Sequence, residues 1–200
     1  MSDQGVVDKS KRQFLTTALT VVGAVGTGYI AVPFLSQMQP STKAKAAGAP
    51  VEIDISKLEK GQLLRAEWRG KPVWILDRPP EILEILATDT AKLADPNSLE
   101  SKQPESSQNE FRSIKPEIFI AVGLCTHLGC SPTFRPETAP NDLGPDWKGG
   151  FFCPCHGSGF DLAGRVVSGV PAPTNLDVPP HRYITETRII IGEESTEADT

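Results

Sequence analysis

The sequence is poor in the side chains that bind metals or nucleic acids. It has four cysteines, three histidines and two tyrosines in 200 residues. It has no excess of positive charge, because 20 Lys and Arg stand against 25 Asp and Glu, a net charge of -5. From Val51 onward the imbalance is 23 acidic against 15 basic residues. This charge excludes nucleic acid as the natural partner and suits a basic protein surface.

Charged residues are missing altogether between Arg12 and Lys43. The run "FLTTALTVVGAVGTGYIAVPFL" (residues 14–35) would span roughly 33 Å as a helix, about the thickness of a hydrocarbon core. We predict a transmembrane helix over residues 13–36. A cleaved secretory signal peptide is the alternative, although the run is longer than an ordinary signal core and no clean cleavage motif follows it closely.

The residues before this helix are typical of an export signal. The stretch "KSKRQFLT" (residues 9–16) resembles a twin-arginine signal with Lys11 and Arg12 in place of the arginine pair. Three basic residues precede the helix and two follow it, which favours a cytoplasmic N-terminus. We therefore expect a cytoplasmic tail over residues 1–12, a single pass through a bacterial inner membrane, and a periplasmic head domain.

The segment after the helix predicts a linker and then one domain. Residues 37–50, "QMQPSTKAKAAGAP", are small and polar without apolar periodicity, which indicates a flexible hinge linker. From residue 51 to residue 200 the pattern changes to short strands with Gly and Pro turns, including a hairpin over residues 62–77. The best helix candidate covers residues 80–96. The predicted fold class is mostly β.

All four cysteines and two of the three histidines lie in two hexapeptides, "CTHLGC" (residues 125–130) and "CPCHGS" (residues 153–158). A structural zinc takes four ligands, commonly from C-x2-C pairs, and neither hexapeptide offers one. A purely disulfide-bonded domain explains the cysteines but leaves the histidines unexplained. A [2Fe–2S] cluster with two Cys and two His ligands leaves one cysteine in each hexapeptide for a disulfide, so this third hypothesis uses all six residues.

The paired hexapeptides resemble those of Rieske iron–sulfur proteins. The N-terminal anchor, the Ala/Gly-rich linker, "DLAGRV" (residues 161–166) and "GVPAPTNLDVP" (residues 169–179) are similar to the Rieske subunits of bacterial ubiquinol–cytochrome c reductase, the cytochrome bc1 complex. The resemblance covers nearly the whole chain. It implies a Rieske-type antiparallel β-sheet domain with a small cluster-binding subdomain, whose loops occupy about residues 122–174.

The resemblance also implies the roles of individual residues. It assigns four iron ligands: Cys125, His127, Cys153 and His156. It implies a disulfide between Cys130 and Cys155, and a Ser158 hydroxyl that donates a hydrogen bond to a bridging sulfide. Leu128 and Pro171 would form a cover over the cluster.

Two residues limit or modify this interpretation. Many members of the family have a tyrosine at the position of Phe160, hydrogen-bonded to a ligand sulfur, so this chain lacks one donor and we predict a lower midpoint potential. The third histidine, His181, follows "VPP" at the start of a strand and is predicted to be a surface residue rather than a ligand. With a single histidine left over, the chain cannot build the mononuclear iron site of a Rieske oxygenase.

The function implied by the resemblance is electron transfer. The chain, with one Rieske-type [2Fe–2S] cluster, would be the catalytic subunit of a respiratory translocase that takes an electron and a proton from ubiquinol. It would pass the electron to cytochrome c1, with cytochrome b as its other partner in a dimeric complex. His156 would be the catalytic residue that meets the quinol oxygen. The alternative is the Rieske subunit of another exported oxidoreductase, such as arsenite oxidase or cytochrome b6f.

Overall fold

The computed structural model describes residues 8–194. The chain divides into two compact units between Ala46 and Ala47. The N-terminal helix belongs to the first unit, and every described β-strand belongs to the second. Most of the predicted tail over residues 1–12 lies outside the described residues.

The N-terminal helix, α1, runs from Lys9 to Gln37 and contains the predicted span over residues 13–36. Asp8 caps its start, because the Asp8 carboxylate accepts two backbone N–H groups of the first turn at 3.0 and 3.3 Å. Among the described residues, this is the one helix whose length and composition allow it to cross a membrane. Its apolar side chains are not covered by other parts of the chain, as expected for a helix that is surrounded by lipid tails.

The predicted linker contains a short helix, α2, at Thr42–Ala47. It was not predicted from the sequence. Ser41 caps it by accepting a backbone N–H on its Oγ at 3.1 Å, and the alanines and lysines that follow are strong helix formers. Gly48 and Pro50, which disfavour helix, come directly after its end.

The second unit contains three antiparallel sheets of three strands, with the orders β1-β9-β8, β2-β3-β4 and β5-β6-β7. The strands are β1 (Val51–Asp54), β2 (Leu63–Trp68), β3 (Lys71–Asp77), β4 (Ile118–Val122), β5 (Thr133–Arg135), β6 (Gly150–Cys153), β7 (Ser158–Phe160), β8 (His181–Thr185) and β9 (Arg188–Ile191). A helix, α3 (Pro80–Thr88), and one 3-10 turn (Glu105–Ser107) lie between β3 and β4. The predicted mostly β, antiparallel fold is confirmed.

The middle sheet separates two hydrophobic cores. Val73 and Ile75 of β3 belong to the core beneath β1 and β9, whereas Trp74 and Leu76 belong to the core that contains both unpaired cysteines. Because both faces of β3 are buried, its sequence is a continuous apolar run rather than an alternating one. The β5-β6-β7 sheet is the small subdomain that carries the second hexapeptide.

The β2–β3 hairpin forms where the sequence predicted it, with Leu63 opposite Leu76 and Trp68 opposite Lys71. Its two turn residues, at positions 69 and 70, have φ values of 54° and 69°. A two-residue turn with positive φ at both residues matches the right-handed twist of the strands that it joins. Glycine adopts a positive φ at little cost.

The helix predicted over residues 80–96 is too long, because α3 ends at Thr88. The backbone beyond it is hydrogen-bonded to a distant segment: the Ala94 N–H donates to the Val166 carbonyl at 3.0 Å. A residue bonded in this way cannot also close a helical turn. Long-range pairing therefore overrides the local helical pattern.

His181 is buried, with 1% of its surface exposed, so the prediction of a surface residue was wrong. It begins β8 opposite Ile191. Its Nδ1 lies 2.9 Å from the Pro179 carbonyl, and its Nε2 has no hydrogen-bond partner in the described part of the chain. Burial lowers the pKa of His181, because the protonated ring would be poorly solvated there.

This burial predicts an acid-sensitive fold. The neutral form of His181 is favoured in the folded state, so its contribution to stability is complete above the unfolded pKa of about 6.5 and is lost as pH falls below that value. We expect the free energy of unfolding to decrease from pH 7 to pH 5. Urea titrations of the full chain in detergent, followed by tryptophan fluorescence, measure this, because all three tryptophans lie in the head.

The control is His181→Asn, which can still donate a hydrogen bond to the Pro179 carbonyl but does not titrate. Its stability should change less with pH than that of the wild type. The other two histidines are the same in both proteins, so their contributions cancel in the difference. Parallel pH profiles would show that His181 is not the source.

Candidate metal centre

The first hexapeptide follows β4 and rests on the core. The Gly123 N–H donates to the Pro72 carbonyl at 2.8 Å, and the Trp74 ring occupies the space where a Cβ on Gly123 would lie. Trp74 in turn stacks on Phe151 of β6, with the ring centroids 4.9 Å apart. A glycine at position 123 is therefore required for the chain to leave β4 and enter the loop.

The two hexapeptides fold into the same turn. The Gly129 N–H donates to the Cys125 carbonyl at 2.9 Å, and the Gly157 N–H donates to the Cys153 carbonyl at 2.9 Å. The two glycines have φ values of 80° and 77°, and nothing lies within 4 Å of the place where either Cβ would be. Glycine is needed at these positions for backbone conformation and not for space.

The predicted disulfide is present. Cys130 is bonded to Cys155, and this bond joins the two loops across 25 residues of sequence. Cys125 and Cys153 are free and buried. The sulfur atoms of Cys130, Cys153 and Cys155 lie within 4.8 Å of one another, but two of them are bonded together and so do not form a ligand trio. Cys153 lies directly against the disulfide.

The two free thiols are close enough to interact. Burial raises the pKa of the Cys125 thiol, the His127 backbone N–H lowers it by hydrogen bonding to the sulfur, and contact with Cys153 raises it. Two buried thiolates side by side would be unstable without a compensating positive charge. A metal ion supplies such a charge and deprotonates its thiol ligands.

The two histidines of the hexapeptides face each other. Their ring centroids are 4.7 Å apart at an interplanar angle of 82°. His127 is half-buried, and its Nδ1 is buried without a hydrogen-bond partner among the described residues. His156 is exposed. An unpartnered imidazole nitrogen beside two buried thiols is the donor set expected of a mixed Cys/His metal site, so these residues fit a [2Fe–2S] cluster.

A third loop, residues 168–174, is hydrogen-bonded to both hexapeptides. Ser158 is fully buried, and its Oγ accepts the Ala172 N–H at 3.1 Å. The Thr126 hydroxyl donates to the Thr174 carbonyl at 2.7 Å. Thr126 was not predicted from the sequence, although its position between Cys125 and His127 could have indicated a structural role.

The predicted covering residues lie on the outer side of the loops. Leu128 has 72% of its surface exposed, and Pro171 is also exposed. Phe160 is fully buried in the core that contains Cys125 and Cys153. Leu128 follows His127, whose ring packs against that of the exposed His156, so the loops present an apolar side chain and an imidazole to solvent.

Sequence reasoning missed a set of buried arginines beneath the loops: Arg78, Arg112 and Arg165. Arg165 donates to the Asp161 carboxylate at 2.7 Å and to the Leu86 carbonyl at 2.7 Å. Burial lowers the pKa of Arg78 to about 9 and that of Arg112 to about 10, so both remain protonated at neutral pH. All three hold the turn that follows β7.

Comparison with known families agrees with this site. Residues 97–180 match the family model described as "Rieske [2Fe-2S] domain". Residues 1–41 match the model described as "Ubiquitinol-cytochrome C reductase Fe-S subunit TAT signal". The fold, the loop geometry and the match together define a Rieske protein with a [2Fe–2S] cofactor and an N-terminal membrane anchor.

The curated relatives identify the family more narrowly than the domain match does. The ubiquinol–cytochrome c reductase iron–sulfur subunit of Allochromatium vinosum is 61% identical over 194 residues, which cover 97% of this chain and 93% of that protein. The subunit of the same name from Blastochloris viridis is 42% identical and covers 96% and 98% of the two chains. This chain belongs to the family of ubiquinol–cytochrome c reductase iron–sulfur subunits.

A solved structure titled "Hyperthermophilic respiratory Complex III" contains a chain that is 27% identical to this one. It covers 88% of this chain and 98% of that chain at a TM-score of 0.47. A likeness at that score adds nothing to the assignment, which depends on the sequence relatives.

Proposed function

We propose that this chain oxidises ubiquinol in a cytochrome bc1 complex and passes the electron to cytochrome c1. The observation that carries the proposal is the pair of histidine rings 4.7 Å apart beside two buried free cysteines. The names of the relatives and the match over residues 97–180 support it. The chain would then be the subunit in which the quinol is oxidised.

In this proposal the four ligands are Cys125, His127, Cys153 and His156. Cys125 and Cys153 lie in the dry interior, where a bound metal would supply the positive charge that their deprotonated, ligating form needs. The Cys130–Cys155 disulfide keeps the two ligand loops together. It also removes from competition the two other sulfur atoms that could bind iron.

When bound, a cluster held by two thiolates and two neutral imidazoles accepts one electron at a potential several hundred millivolts above that of all-Cys clusters. The surrounding side chains adjust that potential. The Ser158 Oγ already accepts the Ala172 N–H, so its own hydrogen is free to be donated toward sulfur. A hydrogen bond from the Ser158 hydroxyl lowers the pKa of the Cys125 thiol, which supports a donor role for this hydroxyl at the site.

His156 is the residue we propose to meet the quinol. Its ring is exposed at the tip, so a ring nitrogen that is not bound to iron can accept the proton of a quinol hydroxyl. Leu128, exposed next to His127, and Pro171 provide apolar surface around that contact. A proton acceptor at the point of electron transfer suits ubiquinol, because a quinol releases a proton together with each electron.

The remaining parts of the chain suggest how the head reaches its partners. We propose that residues 37–50 act as a hinge between α1 and the head, which lets the head visit cytochrome b and then cytochrome c1. The N-terminus would lie in the cytoplasm and the head in the periplasm of a bacterium whose inner membrane holds a dimeric complex. The weak bias of basic residues around α1 supports that orientation.

The direct test is low-temperature EPR of ascorbate-reduced membranes that contain the full chain. We expect a rhombic signal with a low average g value, typical of mixed Cys/His ligation, whose shape changes when a quinone-site inhibitor is added. Haems b and c should co-purify with the chain. Purification with molybdenum and no haem would favour an arsenite oxidase, and an inhibitor response confined to plastoquinol analogues would favour cytochrome b6f.

Phe160 provides a prediction about the potential. Phe160 of β7 pairs with Phe151 of β6, so both side chains lie on the same face of the sheet as Cys153. A Phe160→Tyr hydroxyl would add a donor toward a ligand sulfur and stabilise the reduced form. We expect the midpoint potential in an EPR-monitored redox titration to rise.

The matched control is Phe152→Tyr, which places the same hydroxyl on the opposite face of β6, where Phe152 is half-buried. Its potential should stay at the wild-type value. An unchanged potential in Phe160→Tyr, with the cluster present, would count against the proposed donor role of a tyrosine at this position.

A further inference from the structure

Arg112 is a fully buried cation that has no acidic partner in the described part of the chain. Its guanidinium donates to four neutral oxygens: the Gln103 side chain at 3.0 Å, and the carbonyls of Ala163 at 3.1 Å, Gly164 at 3.3 Å and Leu176 at 2.7 Å. Arg165, by contrast, forms an ion pair with Asp161 at 2.7 Å. Within residues 8–194, no carboxylate lies within 4.0 Å of the Arg112 guanidinium.

The charge of Arg112 persists in the folded protein. Burial lowers its pKa only to about 10, and three acidic residues act on it from beyond hydrogen-bond distance: Asp161, Asp95 and Asp177. Burying a guanidinium among neutral carbonyls is unfavourable compared with leaving it in water. The folded protein therefore carries a full positive charge at this buried position.

Arg112 is hydrogen-bonded to residues of the same buried apolar cluster that contains two of the proposed iron ligands. Ala163 and Leu176, whose carbonyls accept from Arg112, belong to the same buried cluster as Cys125 and Cys153. The residue after Leu176 is also tied to the strand that leads into the first ligand loop, because the Val122 N–H at the end of β4 donates to the Asp177 carbonyl at 2.8 Å. Charges interact over longer distances through such a dry core than through water.

We propose that Arg112 raises the midpoint potential of the cluster through its charge. Reduction adds one negative charge to the site, and a fixed cation across the core stabilises the reduced form more than the oxidised form. The inference rests on the proposed ligand set. In this proposal Arg112 binds neither iron nor quinol, and its charge acts on the ligand site from a distance.

Gln103→Glu is the sharpest test, because it places a carboxylate 3.0 Å from the Arg112 Nε with almost no change in shape. The substitution removes the hydrogen bond that the Gln103 Nε2 donates to the Ser98 carbonyl at 2.8 Å, and the new ion pair should offset that loss and cancel part of the cation's field. We expect the equilibrium constant for reduction to fall at least threefold, or about 28 mV at 59 mV per tenfold for one electron. The measurement is an EPR-monitored redox titration of the full chain at one fixed pH.

Three further variants complete the experiment. Gln108→Glu makes the same substitution at an exposed position in the same loop, where solvent screens the charge, and should leave the potential unchanged. Arg112→Lys keeps the charge and should stay within about twofold of the wild type. Arg112→Met removes the charge and should match or exceed the effect of Gln103→Glu. If Arg112→Met does not retain the cluster, Gln103→Glu decides alone.

The outcomes separate this inference from the proposed function. A Rieske EPR signal with an unchanged or higher potential in Gln103→Glu overturns the role of Arg112 and leaves the ligand set standing. An equal fall in Arg112→Lys and Arg112→Met also overturns it, because geometry and not charge would then be responsible. Absence of the signal from the wild-type chain refutes the proposed ligand set itself.

Discussion

Alanine in place of His127 or His156 should abolish the Rieske EPR signal and reduce the iron and acid-labile sulfide of the chain to background. Either substitution removes one of the two nitrogen ligands from one iron and leaves that metal open to solvent and loss. The effect should be complete for each single variant. The measurement is iron and sulfide per chain, together with EPR of reduced membranes.

The matched control is the third histidine. His181→Asn should keep the cluster, because His181 lies in the β8-β9 sheet and its Nδ1 contacts only the Pro179 carbonyl in the described structure. Cluster retention in His127→Ala would show that another residue ligates the iron. In that case the proton-accepting role proposed for His156 would also need a new basis.

A candidate site could be proposed from the sequence because its proposed ligands are close together in the sequence. Each hexapeptide contains both a cysteine and a histidine of the site, and a glycine four residues after the cysteine closes the turn around them. The disulfide followed from the resemblance once the ligand pairs were assigned, and the structure confirms it. What the sequence does not show is which surface the loops present, since the exposure of Leu128 depends on the packing of all three loops.

The fold was predictable where short-range signals determine it. The β2–β3 hairpin depends on an apolar run on each side of a two-residue turn, and both signals are visible in the sequence. The length of α3 was not predictable, because the segment after it is hydrogen-bonded to a distant one, Ala94 to Val166 across 72 positions. The burial of His181 likewise depends on packing of distant elements around the start of β8.

The buried arginines had no sequence signal at all. Arg112 lies in a polar stretch between residues 97 and 113 that is typical of an exposed loop. Its partners are backbone carbonyls of residues 163, 164 and 176, and a sequence pattern contains no information about which carbonyls lack a donor. Such residues are found only when the tertiary structure shows where each buried polar group is bonded.

The second large effect, on the free energy of unfolding, is expected at the ion pair of Asp161 and Arg165. The Arg165 side chain is fully buried, the Asp161 side chain is 18% exposed, and their nearest atoms are 2.7 Å apart. The same carboxylate also accepts the backbone N–H groups of Ala163 and Arg165 on its Oδ1 at 2.9 and 2.8 Å. These bonds form the turn that links β7 to the segment beneath the cluster loops.

Asp161→Asn should lower the free energy of unfolding by about 3–5 kcal/mol, because it leaves a buried guanidinium without its counter-charge. Asparagine can still accept the two backbone N–H groups, so the loss reports on the ion pair rather than on the turn. Urea titration of the full chain in detergent, followed by tryptophan fluorescence, measures the change. Adding Arg165→Met to this variant should recover part of the stability, because the unpaired charge is removed.

The exposed pair of Arg135 and Asp142 is the matched control. Arg135 donates to both carboxylate oxygens of Asp142 at 2.8 Å, which is good geometry, but 61% of the Asp142 side chain is exposed. Solvent screens such a pair, so Asp142→Asn should change stability little. Equal losses in Asp142→Asn and Asp161→Asn would mean that hydrogen-bond geometry decides the effect. Glu137 also lies 3.1 Å from Arg135, so the comparison is made with Glu137→Gln present, and each Asp→Asn substitution then removes the remaining carboxylate partner that the structure shows for its arginine. A loss confined to Asp161→Asn would then establish burial as its cause.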